Sequence, residues 1–155
     1  MADKNAISAL VVDDNDDNLF LLGSALRNEG LEVTTASSGS EALALLAKSS
    51  FDIVFLDIMM PEVDGFDVLE RIRSLYSFFD LPVIMVTALD DAPSVVRSFD
   101  LGANDYITKP FDHEVLVARA FHQLEVARSL RSPGARENKD LTGDIKRAPG
   151  GAPAA

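Results

Sequence analysis

The sequence predicts an α/β fold in which a sheet of parallel strands is covered by helices on both faces. Short apolar runs recur along the chain, and each segment between two runs is long enough to hold a helix or a turn. Apolar residues in the longer segments recur three or four positions apart, which is the spacing of one helix face. The runs themselves are continuously apolar, as is typical of parallel strands that are buried on both faces.

Five strand-helix units follow from this pattern. In the first half of the chain, strands are predicted over 7–12, 31–36 and 53–56, and helices over 16–28 and 38–48. Leu19, Leu22 and Leu26 form the apolar face of the first helix, and Gly30 supplies a left-handed residue just beyond its end. The β-branched residues 33–35 favour a short edge strand.

The second half of the chain continues the alternation. Helices are predicted over 65–75, 93–101 and 112–131, and strands over 83–86 and 105–108. Phe66, Leu69 and Ile72 mark the buried face of the third helix, and Gly102 lies just beyond the fourth. Asp112 is a suitable N-cap for the last helix, which at about 30 Å is longer than one sheet requires.

One domain is expected, over residues 1–131, with a tail after it. The 155 residues are 47% hydrophobic, which is enough for one sizeable core. From residue 132 onward Pro and Gly are frequent, and Leu141 and Ile145 are the only large aliphatic residues. Residues 132–155 are therefore predicted to be a disordered tail or linker.

Composition argues against several classes of function. The net charge of -11 opposes direct binding to nucleic acid, because that binding uses Lys and Arg to neutralise phosphates. The longest apolar stretch, 81–89, is far shorter than the roughly 20 residues of a membrane span, and no signal-peptide pattern is found near the N-terminus. The chain has no cysteine for disulfides, thiolate chemistry or metal ligation. We therefore expect a cytoplasmic protein with no nucleic-acid or membrane partner.

Polar residues stand where four of the apolar runs end. They are Asp13 with Asp14, then Asp57, Thr87 and Lys109. Because the carboxyl ends of parallel strands meet at one edge of a sheet, these side chains are expected to lie together where α/β sheets place their ligand sites. Three carboxylates, a hydroxyl and an ammonium at one edge favour a site for a cation and a phosphoryl group.

The residue types suit phosphoryl transfer to a carboxylate. Clustered carboxylates repel one another and invite a divalent cation, and Mg²⁺ keeps part of its coordination for water or phosphate oxygens. Asp57 follows a central strand and is the best candidate for a nucleophile that forms an aspartyl-phosphate, while Asp13 and Asp14 hold metal. Thr87 and Lys109 are placed to offset charge on the transferred oxygens.

Four ordered segments carry a family resemblance. They are 11–15, 56–61 with 64–65, 86–88, and 102–111. Together they closely resemble the receiver domain of two-component response regulators, over about residues 6–131. The resemblance implies a flavodoxin-like (βα)5 fold with a five-stranded parallel sheet in the order 2-1-3-4-5.

The resemblance also implies a function and a ligand set. Asp57 would accept a phosphoryl group from a histidine kinase or a histidine phosphotransfer protein. Mg²⁺ or Mn²⁺ would be held by Asp14, Asp57 and the Met59 carbonyl, with Asp13 acting through water. Lys109 would pair with the phosphoryl oxygens, next to a cis bond to Pro110. Such a chain is no enzyme in the usual sense, because it catalyses only its own phosphorylation and a slow autodephosphorylation.

Further implications concern the signal that leaves the site. In the family, the phosphoryl group draws in the hydroxyl that corresponds to Thr87, and the ring that corresponds to Tyr106 turns inward. Members dimerise or meet partners through the fourth helix, fifth strand and fifth helix, where Asp105 and Arg119 match charged positions. Val95 stands where many dimerising members have a basic residue. An output domain or effector protein would receive the signal.

Three alternatives differ from this interpretation in their sequence requirements. A haloacid-dehalogenase-like phosphatase needs a second Asp two residues after its nucleophile, and Met59 occupies that position. A flavin or nucleotide module lacks support, since the chain has no phosphate-binding loop and no glycine-rich fingerprint. A pseudo-receiver that is never phosphorylated would act as a protein-interaction module. The apolar residues Met59 and Leu89, each two positions after a site residue, predict poor positioning of attacking water and a long-lived phosphorylated state.

Overall fold

The computed structural model describes residues 6–130, and strands and helices alternate throughout this part of the chain. The elements are β1 (Ser8–Val12), α1 (Asp16–Asn28), β2 (Glu32–Ala36), α2 (Gly39–Lys48), β3 (Ile53–Leu56), α3 (Gly65–Leu75), β4 (Val83–Thr87), α4 (Ala92–Asp100), β5 (Asp105–Thr108) and α5 (His113–Leu130). The alternation confirms the predicted fold class.

The strands form one parallel sheet in the order β2-β1-β3-β4-β5. This order confirms the flavodoxin-like topology that the resemblance implied. At its centre, Val12 of β1 pairs with Leu56 of β3, so the residues that follow these two strands begin side by side. On the other side of β3, Leu56 pairs with Met85 of β4. The order therefore places the ends of β1, β3 and β4 next to one another.

Two apolar layers flank the sheet, and alternate residues of each strand supply them. Leu10 and Val12 of β1 face the layer beneath α2 and α3, whereas Ala9 and Val11 face the layer beneath α1 and α5. The central strand β3 divides in the same way, with Val54 and Leu56 on one side and Ile53 and Phe55 on the other. This period of two explains why the strands are apolar throughout: both faces of the sheet are covered.

Several element bounds differ from the sequence prediction by one residue. The predictions for α1, β3, α3 and β5 are confirmed. Strand β4 is one residue longer than predicted because Thr87 still pairs with Thr108. Helix α4 begins and ends one residue early, since the Asp91 side chain accepts the Ser94 amide and caps it. Strands β1 and β2 start one residue late, and α2 starts at Gly39 after its N-cap Ser38.

The last helix begins as predicted. Asp112 accepts hydrogen bonds from the amides of Glu114 and Val115 at 2.9 and 3.2 Å, which is an N-cap arrangement. The predicted helix end at residue 131 and the predicted tail at 132–155 lie outside the described residues. Among the helices of residues 6–130, none is long and apolar enough to cross a membrane.

A single arginine joins the ends of several elements at the edge opposite the polar cluster. From α3, Arg73 donates to the carbonyl oxygens of Gly102 and Leu81, at 2.8 and 2.9 Å, and to the Asn104 side-chain oxygen at 2.7 Å. Weaker bonds reach the carbonyls of Tyr76 and Ser77. All of these acceptors are neutral, and burial lowers the pKa of Arg73 to about 10. The arginine therefore fixes the loops that lead into β4 and β5.

Candidate functional site

The predicted polar cluster forms at the carboxyl edge of the sheet. The Nζ atom of Lys109 lies 2.6 Å from Oδ2 of Asp13 and 3.1 Å from Oδ2 of Asp57. Asp13 follows β1, Asp57 follows β3, and Lys109 follows β5. The last residue of β5 pairs with Thr87. Residues up to 96 positions apart in sequence thus meet in one ion-paired group. The bond between Lys109 and Pro110 is cis, as the resemblance implied.

Asp13 and Asp57 are buried, so the charges in the ion-paired group interact strongly with one another. Asp13 is 2% exposed and Asp57 6% exposed, whereas Asp14 is open to solvent. Burial alone lowers the pKa of the Lys109 ammonium, but the hydrogen bonds and charges of Asp13 and Asp57 outweigh it and raise that pKa above its usual value. Lys109 is therefore a firmly charged cation between the two carboxylates.

Backbone and amide groups orient both buried carboxylates. Oδ1 of Asp13 accepts the Asn15 amide at 2.9 Å and the Asn18 side-chain amide at 3.4 Å. Oδ1 of Asp57 accepts the amide of Ile58 at 2.8 Å. Each carboxylate thus has one oxygen bound to the protein backbone and the other directed at Lys109. This arrangement fixes the carboxylates before any ligand arrives.

Helix α3 packs directly against the backbone of Asp57. A Cβ atom at Gly65 would lie 2.2 Å from the Asp57 carbonyl oxygen and 2.6 Å from Cα of Ile58, so only glycine fits there. The Gly65 amide also donates to the Ile58 carbonyl at 2.8 Å. A reciprocal capping box between Asp64 and Asp67 then starts the helix. The start of α3 is therefore built into the site.

The donor set fits a divalent cation. Carboxylate oxygens of Asp13, Asp14 and Asp57 all lie within 4.8 Å of one another. Three carboxylates against the single charge of Lys109 leave two negative charges in a partly buried space, which favours an oxygen-preferring ion such as Mg²⁺. Met59, whose carbonyl the resemblance adds to this set, is 58% exposed.

The two predicted switch residues meet at the backbone of a third residue. The hydroxyl of Thr87, which is fully buried, accepts the Leu89 amide at 3.4 Å. The Tyr106 hydroxyl donates to the Leu89 carbonyl at 2.7 Å. Burial and the charges of nearby carboxylates raise the pKa of Tyr106. Both polar backbone groups of Leu89, in the connection between β4 and α4, are thus held by the switch pair.

Two charged residues of the predicted interaction face form an ion pair. Arg119 of α5 donates to the Asp105 side chain of β5 at 2.9 Å. Val95 lies half-buried on α4, and two of its neighbours, Val96 and Phe99, are 57% and 45% exposed. The ion pair thus joins β5 to α5, and α4 carries exposed apolar side chains.

Sequence reasoning identified the charged residues of the site but missed the residues that hold the site in position. The roles of Asn18, Gly65 and Leu89 became visible only in the structure. Asn18 lies three residues after the α1 N-cap Asn15, and a glycine opening a helix is a signal of close approach, so two of these roles left a trace in the sequence. Leu89 left none, because its part is taken by backbone atoms.

Comparison with known proteins gives a consistent result. The family model described as response regulator receiver domain matches residues 9–121. Response regulator PleD of Caulobacter vibrioides is 42% identical over 110 residues, which cover 71% of this chain and 24% of PleD. Curated relatives such as PleD, and RpaA of Synechocystis, are longer proteins, and the chain spans 24% to 54% of their length.

Solved structures share the fold. A CheY-like receiver domain protein from Methanospirillum hungatei superposes with a TM-score of 0.76 at 29% identity, over 81% of this chain and 98% of that one. A protein described as a putative two-component system response regulator/GGDEF domain protein gives a TM-score of 0.74 at 35% identity, over 79% of this chain and 50% of that one.

Proposed function

This chain belongs to the response regulator receiver domain family, whose members act in phosphorelay signalling, and we propose that Asp57 is its phosphoacceptor. The observation that carries the assignment is the ion-paired group at the sheet edge. Lys109 contacts Asp13 and Asp57 together, and Asp14 completes the carboxylate cluster. Of the three carboxylates, only Asp57 follows the central strand β3, which lies between β1 and β4.

The proposed reaction moves a phosphoryl group from a phosphohistidine to Asp57. A bond forms between phosphorus and a carboxylate oxygen of Asp57 as the bond between phosphorus and the imidazole nitrogen breaks. Lys109, which offsets one of the carboxylate charges beforehand, would turn its ammonium to the transferred oxygens. Asp13, Asp14, Asp57 and the Met59 carbonyl would hold Mg²⁺ or Mn²⁺, which supplies positive charge against the repulsion between carboxylates and phosphoryl oxygens.

The presence of the phosphoryl group on Asp57 would be signalled through the backbone of Leu89. The Thr87 hydroxyl has a lone pair and a proton to offer, and a phosphoryl oxygen is a stronger acceptor than any group it now contacts. If Thr87 turns to the phosphoryl group, the Leu89 amide loses its 3.4 Å bond, and the bond from Tyr106 to the Leu89 carbonyl is left to hold the connection to α4. Phosphorylation would thus change the start of α4.

The partners follow from the family and from the lengths of the relatives. The donor would be a histidine kinase or a histidine phosphotransfer protein. The match covers only part of PleD and of the GGDEF protein. We therefore propose that an output domain linked through α5 responds to the phosphorylated state. The Asp105–Arg119 pair and the exposed side chains of α4 would form the contact face, either with that domain or in a homodimer.

Phosphorylation of the purified chain tests the assignment. Incubation with acetyl phosphate and Mg²⁺ should add about 80 Da by intact mass spectrometry, the mass of one phosphoryl group. Asp57→Asn should abolish the gain. Asp80→Asn, which removes an exposed carboxylate of the segment between α3 and β4, is the matched control and should keep it. A folded wild-type chain that gains no mass would instead indicate a pseudo-receiver.

The lifetime of the phosphorylated state tests the role of the flanking residues. Met59 and Leu89 offer no polar side-chain atom to orient an attacking water molecule. After removal of acetyl phosphate, the added mass should therefore decay over minutes or longer in Mg²⁺ buffer. Decay within seconds would contradict this expectation.

A further inference from the structure

Helix α4 is attached to the domain by few contacts. Ser98 is its one buried residue, whereas α3 buries five. The connection that leads into α4 is held at Leu89 by Thr87 and Tyr106, as described above. A change at the phosphorylation site therefore acts on a helix that has little else to hold it.

A cation–π contact joins α4 to α3. The guanidinium carbon of Arg97 lies 4.2 Å from the centroid of the Phe66 ring, which is close for a cation over an aromatic face. Arg97 is exposed, whereas Phe66 is 7% exposed and belongs to the apolar layer beneath α2 and α3. We call this contact the Arg97–Phe66 stack.

The Phe66 side of the stack is fixed to the phosphoacceptor. Phe66 follows Gly65, whose Cα packs on the Asp57 carbonyl and whose amide donates to Ile58. The ring therefore has a stationary backbone beneath it. The Arg97 side belongs to the weakly packed helix, so the stack opposes displacement of α4 relative to Asp57.

We propose that the Arg97–Phe66 stack is a latch that holds α4 in its unphosphorylated arrangement and opposes phosphorylation of Asp57. This inference rests on the proposed function of Asp57. If Asp57 accepts the phosphoryl group in the released arrangement, the population of that arrangement sets the rate, so a chain without the stack is phosphorylated faster. Arg97 acts here as a positioning residue, at a distance from the reacting atoms.

The expected size of the effect follows from the contact. Cation–π contacts at exposed sites change an equilibrium constant by about twofold to fivefold. If the released arrangement is the minor one, removing the stack raises its population by the same factor. Both the opening of α4 and the rate of phosphorylation should rise by about this factor.

Hydrogen exchange and phosphorylation of the full chain test the latch together. In the unphosphorylated protein, Arg97→Gln and Phe66→Leu should each speed amide exchange in Ala92–Asp100 by about twofold to fivefold, with α3 unaffected in the arginine variant. The same variants should take up the phosphoryl group from acetyl phosphate faster by a similar factor. Arg97→Lys, which keeps a cation, should lie between Arg97→Gln and the wild type.

A matched variant separates the stack from a general effect of charge. Arg71 is an exposed arginine on the side of α3 that borders α2, and Arg71→Gln should leave both readouts at wild-type values. In the double variant, the effects of Arg97→Gln and Phe66→Leu should not add, because each removes the same contact.

The outcomes distinguish the latch from the phosphoacceptor. If the wild type gains mass but Arg97→Gln matches Arg71→Gln in exchange or in rate, the latch is wrong and the assignment of Asp57 stands. If the wild type gains no mass, the assignment of Asp57 falls and the latch falls with it, whatever the exchange shows.

Discussion

Helices α3 and α4 follow neighbouring strands and similar site residues, yet they are attached in opposite ways. Helix α3 begins eight positions after Asp57, with a glycine pressed onto the Asp57 backbone, a capping box and five buried residues. Helix α4 begins five positions after Thr87, with a capping Asp91 and one buried residue, the small and polar Ser98. The helix after the proposed phosphoacceptor is fixed, and the helix after the proposed switch residue Thr87 is weakly held.

The difference teaches how one sheet edge can both bind and signal. A phosphoacceptor needs a fixed geometry, because misplacement of reacting atoms is costly in rate. A switch needs an element whose two arrangements differ little in free energy, and sparse burial provides that. The two requirements are met by adjacent helices rather than by one.

The largest expected effect contrasts side chains of the two helices. Leu69 of α3 is fully buried, so Leu69→Ala should lower the free energy of unfolding by about 3 kcal/mol. Phe99 of α4 is 45% exposed, and Phe99→Ala should change it by less than about 1 kcal/mol. Urea denaturation measures both. Equal losses from the two variants would show that α4 is packed as firmly as α3.

A second prediction concerns the junction of α3 with Asp57. Gly65→Ala places a Cβ atom against backbone that cannot move aside, and should cost about 2 kcal/mol of unfolding free energy. Gly23→Ala in α1 is the control, because its nearest neighbour is the mobile end of Arg27, at 3.2 Å. There alanine should be neutral or stabilising by up to about 1 kcal/mol. If Gly65→Ala left the free energy of unfolding unchanged, the structural argument for a fixed junction between α3 and Asp57 would be lost.

The smallest predicted effect concerns the connection to α4. Tyr106→Phe removes the bond to the Leu89 carbonyl and should lower the free energy of unfolding by about 1 kcal/mol. Because the pKa of Tyr106 is raised in the folded chain, this contribution should be complete below the usual tyrosine pKa and vanish as the pH rises through the folded value. Urea denaturation of both chains from pH 7 upward measures the difference. A constant difference into strong alkali would argue against the bond.

Local patterns in the sequence were sufficient for most of the fold. Helices α1 and α3 have apolar faces and clear first residues, and their predicted bounds are confirmed. The predicted end of β4, at residue 86, is one residue too early. Thr87 interrupts an apolar run, and its pairing with Thr108 cannot be read from the local sequence. Such errors arise where a long-range partner decides the element's end.

The site could be predicted only in part, because some of its contacts depend on the fold and others depend on side-chain conformation. Asp13, Asp57 and Lys109 could be grouped because parallel strands bring their carboxyl ends to one edge, and the ion pairs confirm that grouping. The Arg97–Phe66 stack could not be predicted, since its two residues lie on separate helices and their meeting depends on side-chain rotamers. The roles of Asp57, Thr87 and Tyr106 stay predictions until phosphorylation is measured.

Arg73 and Lys109 give the two ends of the sheet different responses to a divalent cation. The partners of Lys109 are carboxylates, which a divalent cation can also bind. The partners of Arg73 are neutral carbonyl and amide oxygens, which offer such an ion no charge. Added Mg²⁺ should therefore rearrange the contacts at the edge that holds Lys109, while the loops leading into β4 and β5 stay tied to α3.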